Sequence, residues 1–301
     1  MTGSPPLAAT VDSLRTARSL FVAAVNTALA GPRLIARDPA AVGAWVALWF
    51  LGFAVSQLLL YFGGGVRQTA GHATLGSSFG PYAVLSISVF LLIWAATMVA
   101  AFRLALQPDR RGFFYLDLGA DELRFAVLTV VACLTVAVLA GAPAFLLFAV
   151  ASPVLQAAPM LAKEIGVGGA IATMAVEVWV GVRLSLIPVE LFAEGRFHLT
   201  AYWPLTRGRF WYLLVVYAVC ALLVAVVSAA VGASIALLWG ARSLILPLQH
   251  PIRELSFVGL AAAVALVTSI FCVVPTVILC AAQAHAFRAI TSSSPTRRAR
   301  I

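Results

Sequence analysis

An all-α, polytopic membrane bundle is the fold class this sequence predicts, and three observations predict it. Apolar residues fill 62% of the 301 positions and charged residues only 10%, where a soluble domain carries about 25% charged. Six apolar runs follow one another at 42–62, 82–106, 125–150, 167–192, 210–239 and 255–287, and a hydrocarbon core ~30 Å thick needs about 20 such helical residues. Most of the arginine falls on one side of those runs. Inside lipid every backbone polar group must be bonded within the structure, and runs of this length without strand-like alternation select helices over a barrel.

The segment before the first run, 1–41, divides in two. Residues 1–7 are polar and Pro-containing and are expected to be disordered. Over 8–30, Val11, Leu14, Phe21, Val25 and Leu29 recur at helical spacing, Asp12, Arg15 and Ser19 take other faces, and Gly31-Pro32 ends the helix. Its polar content predicts an amphipathic helix, either lying in the membrane interface or packed on the bundle from the solvent side. The six-helix domain then occupies 42–290. Its first two spans carry no charge before Arg103. The third holds Gly141 and Pro143 and the sixth Pro275, each predicting a kink. The fifth and sixth exceed the minimum length, which predicts tilt or protrusion. Residues 291–301 read as a disordered tail.

Charge predicts the orientation. Arg15, Arg18, Arg33 and Arg37 precede the first span; Arg103, Arg110, Arg111 and Arg124 lie between the second and third; Arg183, Arg196, Arg207 and Arg209 lie between the fourth and fifth; Arg288, Arg297, Arg298 and Arg300 follow the sixth. Only Arg67, Lys163, Arg242 and Arg253 fall on the other side. The positive-inside rule then predicts a multi-pass protein of the bacterial inner membrane with both termini cytoplasmic. The formal net charge of +9 reads as a collar for anionic headgroups rather than a nucleic-acid footprint. The expected partner is the bilayer, its anionic lipids in particular, and Arg110, Arg111, Arg207 and Arg209 are the headgroup candidates.

A repeat runs through the chain. Arg103-Leu-Ala-Leu-Gln-Pro108 and Arg183-Leu-Ser-Leu-Ile-Pro188 share one pattern where an even span nears the arginine side, and Ala286-Phe-Arg288 echoes it after the sixth. Arginine-bearing amphipathic segments, 32–41, 112–124 and 196–209, enter the odd spans. The pattern predicts three parallel hairpins and a symmetric bundle, unless it reflects only the Leu/Ala/Arg bias of the chain.

Few residues point to chemistry. Glu177 lies about ten residues into the fourth span, hence ~15 Å deep, where an ionised carboxylate costs about 2.5–3.5 kcal/mol. It is expected to face the interior or water, as a proton or substrate contact or as a structural pair. Arg183 and Glu190 are seven residues apart on one face and predict a clasp closing that span, or a ligand site. Asp117, Asp121 and Glu122 are better explained as acids at a helix start than as metal ligands. His72, His198, His250 and His285 are scattered, and Cys133, Cys220, Cys272 and Cys280 fall within spans as small hydrophobes. No catalytic, metal or nucleotide signature stands out, so no catalysis and no cofactor is expected. Ser228, Gly232 and Ala236 permit close helix contact. Trp45, Trp211 and Trp239 sit where aromatic belts form.

At 183–214 the chain reads Arg183-Leu-Ser-Leu-Ile-Pro-Val-Glu190 and, further on, Ala201-Tyr-Trp-Pro-Leu-Thr-Arg-Gly-Arg-Phe-Trp-Tyr-Leu-Leu214. This resembles the YciC-like six-span membrane proteins and the related membrane domain of some glycerophosphodiester phosphodiesterases. Trp203, Leu205, Thr206, Gly208, Phe210 and Trp211 match the entry to the fifth span in that family, while Tyr202 departs from its serine. The resemblance implies the six-span layout and envelope association, not phosphodiesterase activity. A non-enzymatic protein organising lipid or a partner through its arginine face is the expected function. The alternative is a transporter or channel for a small solute, lipid or proton, using Glu177.

Overall fold

The computed structural model describes residues 7–62, 66–69, 72–75, 79–109, 112–116, 119, 122–128, 131, 159–194, 206, 208–245 and 252–292. Long apolar helices dominate them. In chain order they are α1 (Leu7–Ala28), α2 (Ala30–Arg37), α3 (Pro39–Phe62), β1 (Val66–Thr69), β2 (His72–Leu75), α4 (Phe79–Leu106), a 3-10 turn (Phe113–Tyr115), α5 (Pro159–Leu184), α6 (Ile187–Glu194), α7 (Phe210–Ile245) and α8 (Ile252–Ser292). Residues 122–128 are also helical. The all-α class expected from composition is what the structure shows, with one small addition: β1 and β2 pair antiparallel, Val66 opposite Leu75 and Thr69 opposite His72. That hairpin joins α3 to α4 at the end of the bundle away from Arg103.

Six stretches among the described residues are long and apolar enough to cross a membrane. Pro39–Leu59, Gly80–Leu106, Val167–Ala193, Phe210–Ala241 and Val258–Ser292 coincide with five of the spans read from the sequence. The expected third span, with Gly141 and Pro143, lies outside the described residues beyond its helical start, as do residues 293–301. The sixth stretch is Arg18–Arg37, where an interfacial or solvent-side helix is expected. Asp12 and Arg15, which make that segment look polar, precede the stretch. The structure lays α1 along α7 and α8. Ala24 and Ala28 are wholly buried against Val216, Cys220, Ile278 and Ala282, and the Thr27 hydroxyl lies 2.8 Å from that of Tyr212. The outer side of α1 exposes Leu20, Phe21 and Val22.

Small residues bring the helices together, as expected where lipid removes the hydrophobic drive between them. Ala95, Ala96, Ala100, Ala101 and Ala105 line the buried side of α4, and Ala281, Ala282, Ala284 and Ala286 that of α8. Gly31 permits a close approach of backbone to backbone: a Cβ there would stand 2.5 Å from the Ile278 Cα. By contrast a Cβ on Gly232 would meet nothing within 4 Å, so the small-residue spacing around it makes no tight contact among the described residues. Aromatic rings join α3 to α4. Phe53 and Phe90 centroids are 4.8 Å apart, Trp49 stacks on Phe90 at 5.9 Å, and the Trp49 indole N–H donates to Thr97 Oγ1 at 3.1 Å.

Among the described residues the helices are packed unevenly. α8 lies against α1, α2, α3, α4, α6 and α7, whereas α5 makes its main contact with α7. At 41 residues α8 runs unbroken through Pro275, and its ~60 Å length exceeds a hydrocarbon core. Among the described residues the larger buried core lies toward one end. Leu34, Trp45, Phe102, Leu186, Val189, Leu213, Phe287 and Ile290 form one core there, at the ends of the helices that carry the arginines.

Candidate functional site

The start of α3, the end of α4, α6, the start of α7 and the end of α8 meet at this arginine-rich edge, and repeat arginines link them. Arg103, in the last turn of α4, forms a salt bridge with Glu122 and donates from Nη1 to the Tyr115 carbonyl at 3.2 Å. The other Glu122 oxygen accepts the Gly119 N–H at 2.9 Å, one half of a capping box that starts the 122–128 helix. Phe114 and Tyr115 both adopt left-handed backbone angles, φ 51° and 61°, which cost non-glycine residues roughly 1–2 kcal/mol each. Their carbonyls are each held from the bundle: the Trp45 indole N–H donates to Phe114 O at 3.0 Å, and Arg103 takes Tyr115 O. Trp45 is therefore wholly buried instead of sitting in an aromatic belt, while Phe113, Trp211 and Trp239 are among the exposed rings.

The second repeat arginine acts alike. Arg183, at the end of α5, donates from Nη1 to Thr206 Oγ1 at 3.1 Å, and Thr206 is wholly buried just before α7. The guanidinium carbon lies 5.7 Å from the Trp179 ring and 6.0 Å from the Phe210 ring, within cation–π range. Glu190, on α6, is only 2% exposed. Thus the arginines ending the second and fourth spans each bond the segment that opens the span after it. Arg288, the third echo, donates from Nη2 to the Leu106 carbonyl at 2.8 Å and ties the end of α8 back to the first repeat.

A recess opens beside this ring, between α1, α2 and α8, with a volume of about 320 Å³. Asn26, Thr27, Arg33, Arg37 and His285 supply its polar lining. Arg33 Nη2 donates to Asn26 Oδ1 at 3.2 Å. Asp38, the nearest acid in the chain, is turned to the start of α3, where its Oδ1 accepts the Ala41 N–H at 3.2 Å, an N-cap bond. The sequence reading did not single out Arg33, Arg37 and His285 as a group. The available signal was the seven- and four-residue spacing of Asn26, Arg33 and Arg37, which keeps one helix face.

The sequence candidates are placed unevenly. Glu177 is exposed on α5, among exposed Met174, Val178 and Ile171. Among the described residues α5 is buried chiefly at its end, through Val182. Arg183 and Glu190 lie in the clasp region. Arg209 is half-buried at the start of α7, its N–H bonded to the Thr206 carbonyl at 3.2 Å. Arg110, Arg111 and Arg207 lie outside the described residues, as do Asp117, Asp121, His198, His250 and Cys133. Cys220 and Cys280 are buried thiols and Cys272 is half-buried. No group of three or more metal-ligating side chains occurs among the described residues. No family model, curated protein or solved structure matches the chain. By helix length and hydropathy the protein is a multi-pass membrane protein with an all-α fold.

Proposed function

We propose that this is a non-enzymatic integral membrane protein that engages anionic lipid headgroups through its arginine-rich edge, and through them organises the surrounding lipid or a partner protein. One observation carries the reading: arginines from separate parts of the chain converge on one end of the bundle. Arg103, Arg183 and Arg288 are held there by Glu122, Thr206 and Leu106, while Arg33 and Arg37 border an open recess. Each basic side chain near an anionic surface contributes about 1 kcal/mol of attraction. The likeness of 183–214 to YciC-like proteins supports the same reading, and the positive-inside rule supports an inner-membrane location with this edge cytoplasmic.

Purification from mixed-lipid membranes tests the proposal. The protein is expected to co-isolate with anionic lipid in excess of its bulk share. Replacing Arg110, Arg111, Arg207 and Arg209 together by Gln is expected to reduce that enrichment. Unchanged enrichment in the fourfold variant would show that these arginines are not the contact.

A further inference from the structure

We propose that the recess between α1, α2 and α8 is a binding site for a phosphate-bearing anion, and that its occupant is the headgroup phosphate of an anionic glycerophospholipid. The proposal rests on the reading of the arginine-rich edge given above and adds a defined seat for one lipid molecule. Three cationic or cation-forming side chains border the recess, Arg33, Arg37 and His285, and Arg288 follows His285 by three residues on the same helix face. Among the described residues no carboxylate lies at ion-pair distance from Arg33, Arg37 or Arg288. Asp38 faces α3. Like charges are thus gathered without an internal counter-ion, an arrangement an anion relieves.

The donor geometry favours phosphate. Arg33 is oriented by its bond to Asn26, and a guanidinium has five N–H donors, so others remain to grip a second acceptor. Two guanidinium groups a helical turn apart suit the paired oxygens of a phosphate, which arginine binds in bidentate fashion. A volume of about 320 Å³ stands at the small end of ligand sites, about 300–1,000 Å³: room for a headgroup but not for acyl chains. The chains have a path outside it. Val22, one turn from Asn26 on the same helix face, is exposed on α1, with Leu20 and Phe21 exposed beside it, an apolar patch next to the recess. That continuity favours a lipid over free phosphate.

The full chain reconstituted in phosphatidylcholine discs with and without phosphatidylglycerol provides the test, with retained lipid counted by native mass spectrometry. The wild-type protein is expected to hold phosphatidylglycerol against exchange with phosphatidylcholine. Arg33→Gln/Arg37→Gln should weaken that retention at least about tenfold, the scale of one charge-assisted bond, and Arg33→Lys/Arg37→Lys by less. If the double Gln variant does not fold, Arg37→Gln alone, at an exposed position, gives the same comparison. Retention equal to wild type in the Gln variants overturns the site. Inorganic phosphate that raises thermal stability through the same arginines, with no preference for phosphatidylglycerol, overturns the lipid assignment. The fourfold collar variant reports separately: loss of bulk anionic enrichment there, with the tightly held molecule kept, is the expected result. A protein with no anionic preference in any form sinks the broader reading, whereas enrichment with unchanged retention in the Gln variants sinks the recess alone.

Discussion

Breaking the Arg103–Glu122 pair should cost far more than a surface ion pair does, and the structure allows the cost to be estimated. The Arg103 side chain is 13% exposed and that of Glu122 7%. Removing one partner of a buried pair costs about 3–5 kcal/mol because the other charge is stranded; the residual exposure here places Arg103→Met near the lower limit, about 3 kcal/mol. Glu122→Gln should cost about 2 kcal/mol, because an amide can still accept the Gly119 N–H and Arg103 keeps its bond to Tyr115 O. The double variant strands no charge, so it should lose no more than Arg103→Met alone, giving a coupling energy of about 2 kcal/mol. Titrated unfolding in mixed SDS micelles, followed by helicity, measures all three. Single losses below about 1 kcal/mol that simply add would identify the pair as a solvated one, and the account of this edge as a set of buried clasps would fall with it.

Other expectations follow from the same geometry. Thr206→Val, nearly isosteric, removes the acceptor of Arg183 Nη1 and should cost about 1.5 kcal/mol, with Thr206→Ser close to wild type in the same titration. Gly31→Ala drives a Cβ toward the backbone of Ile278 and should destabilise by about 1–3 kcal/mol. Gly232→Ala, with open space around it, should be neutral or stabilising by up to about 1 kcal/mol; equal thermal shifts for the two glycines would contradict the α2–α8 contact. Glu177→Leu, at an exposed position within an apolar helix, should improve insertion of α5 by about 2–3 kcal/mol, read with a glycosylation reporter in the full chain. Poorer insertion would mean that the carboxylate is needed where it stands.

Legibility in the sequence followed physical range. Hydropathy is local, so the spans around Trp49, Trp94, Val216 and Val273 could be read directly, and so could the placement of Cys220 and Cys280 as buried hydrophobes. The repeat arginines were legible as a pattern, but their partners were not. Nothing local pairs Arg103 with Glu122 across nineteen positions, or Arg183 with Thr206 across 23; only chain reversal at the arginine edge does. Trp45 looked like an interfacial ring because its depth was read without knowing that the Phe113–Tyr115 turn would fold over it. The depth of Glu177 along its helix could be counted from the sequence, whereas the direction of its face depends on which neighbours the helix acquires.

The sequence alone determined that the chain must be a membrane-spanning helical protein with its arginines gathered at one edge, because segment length, apolarity and charge are properties of consecutive residues. The tertiary structure decided which helix became the hub among the described residues, that α1 lies along α7 and α8, and that Arg33, Arg37 and His285 border a common recess. Those outcomes depend on contacts such as Gly31 against Ile278 and Ala24 against Val216 and Ile278. They are set by the shape of small residues on facing helices, which no single stretch of sequence contains.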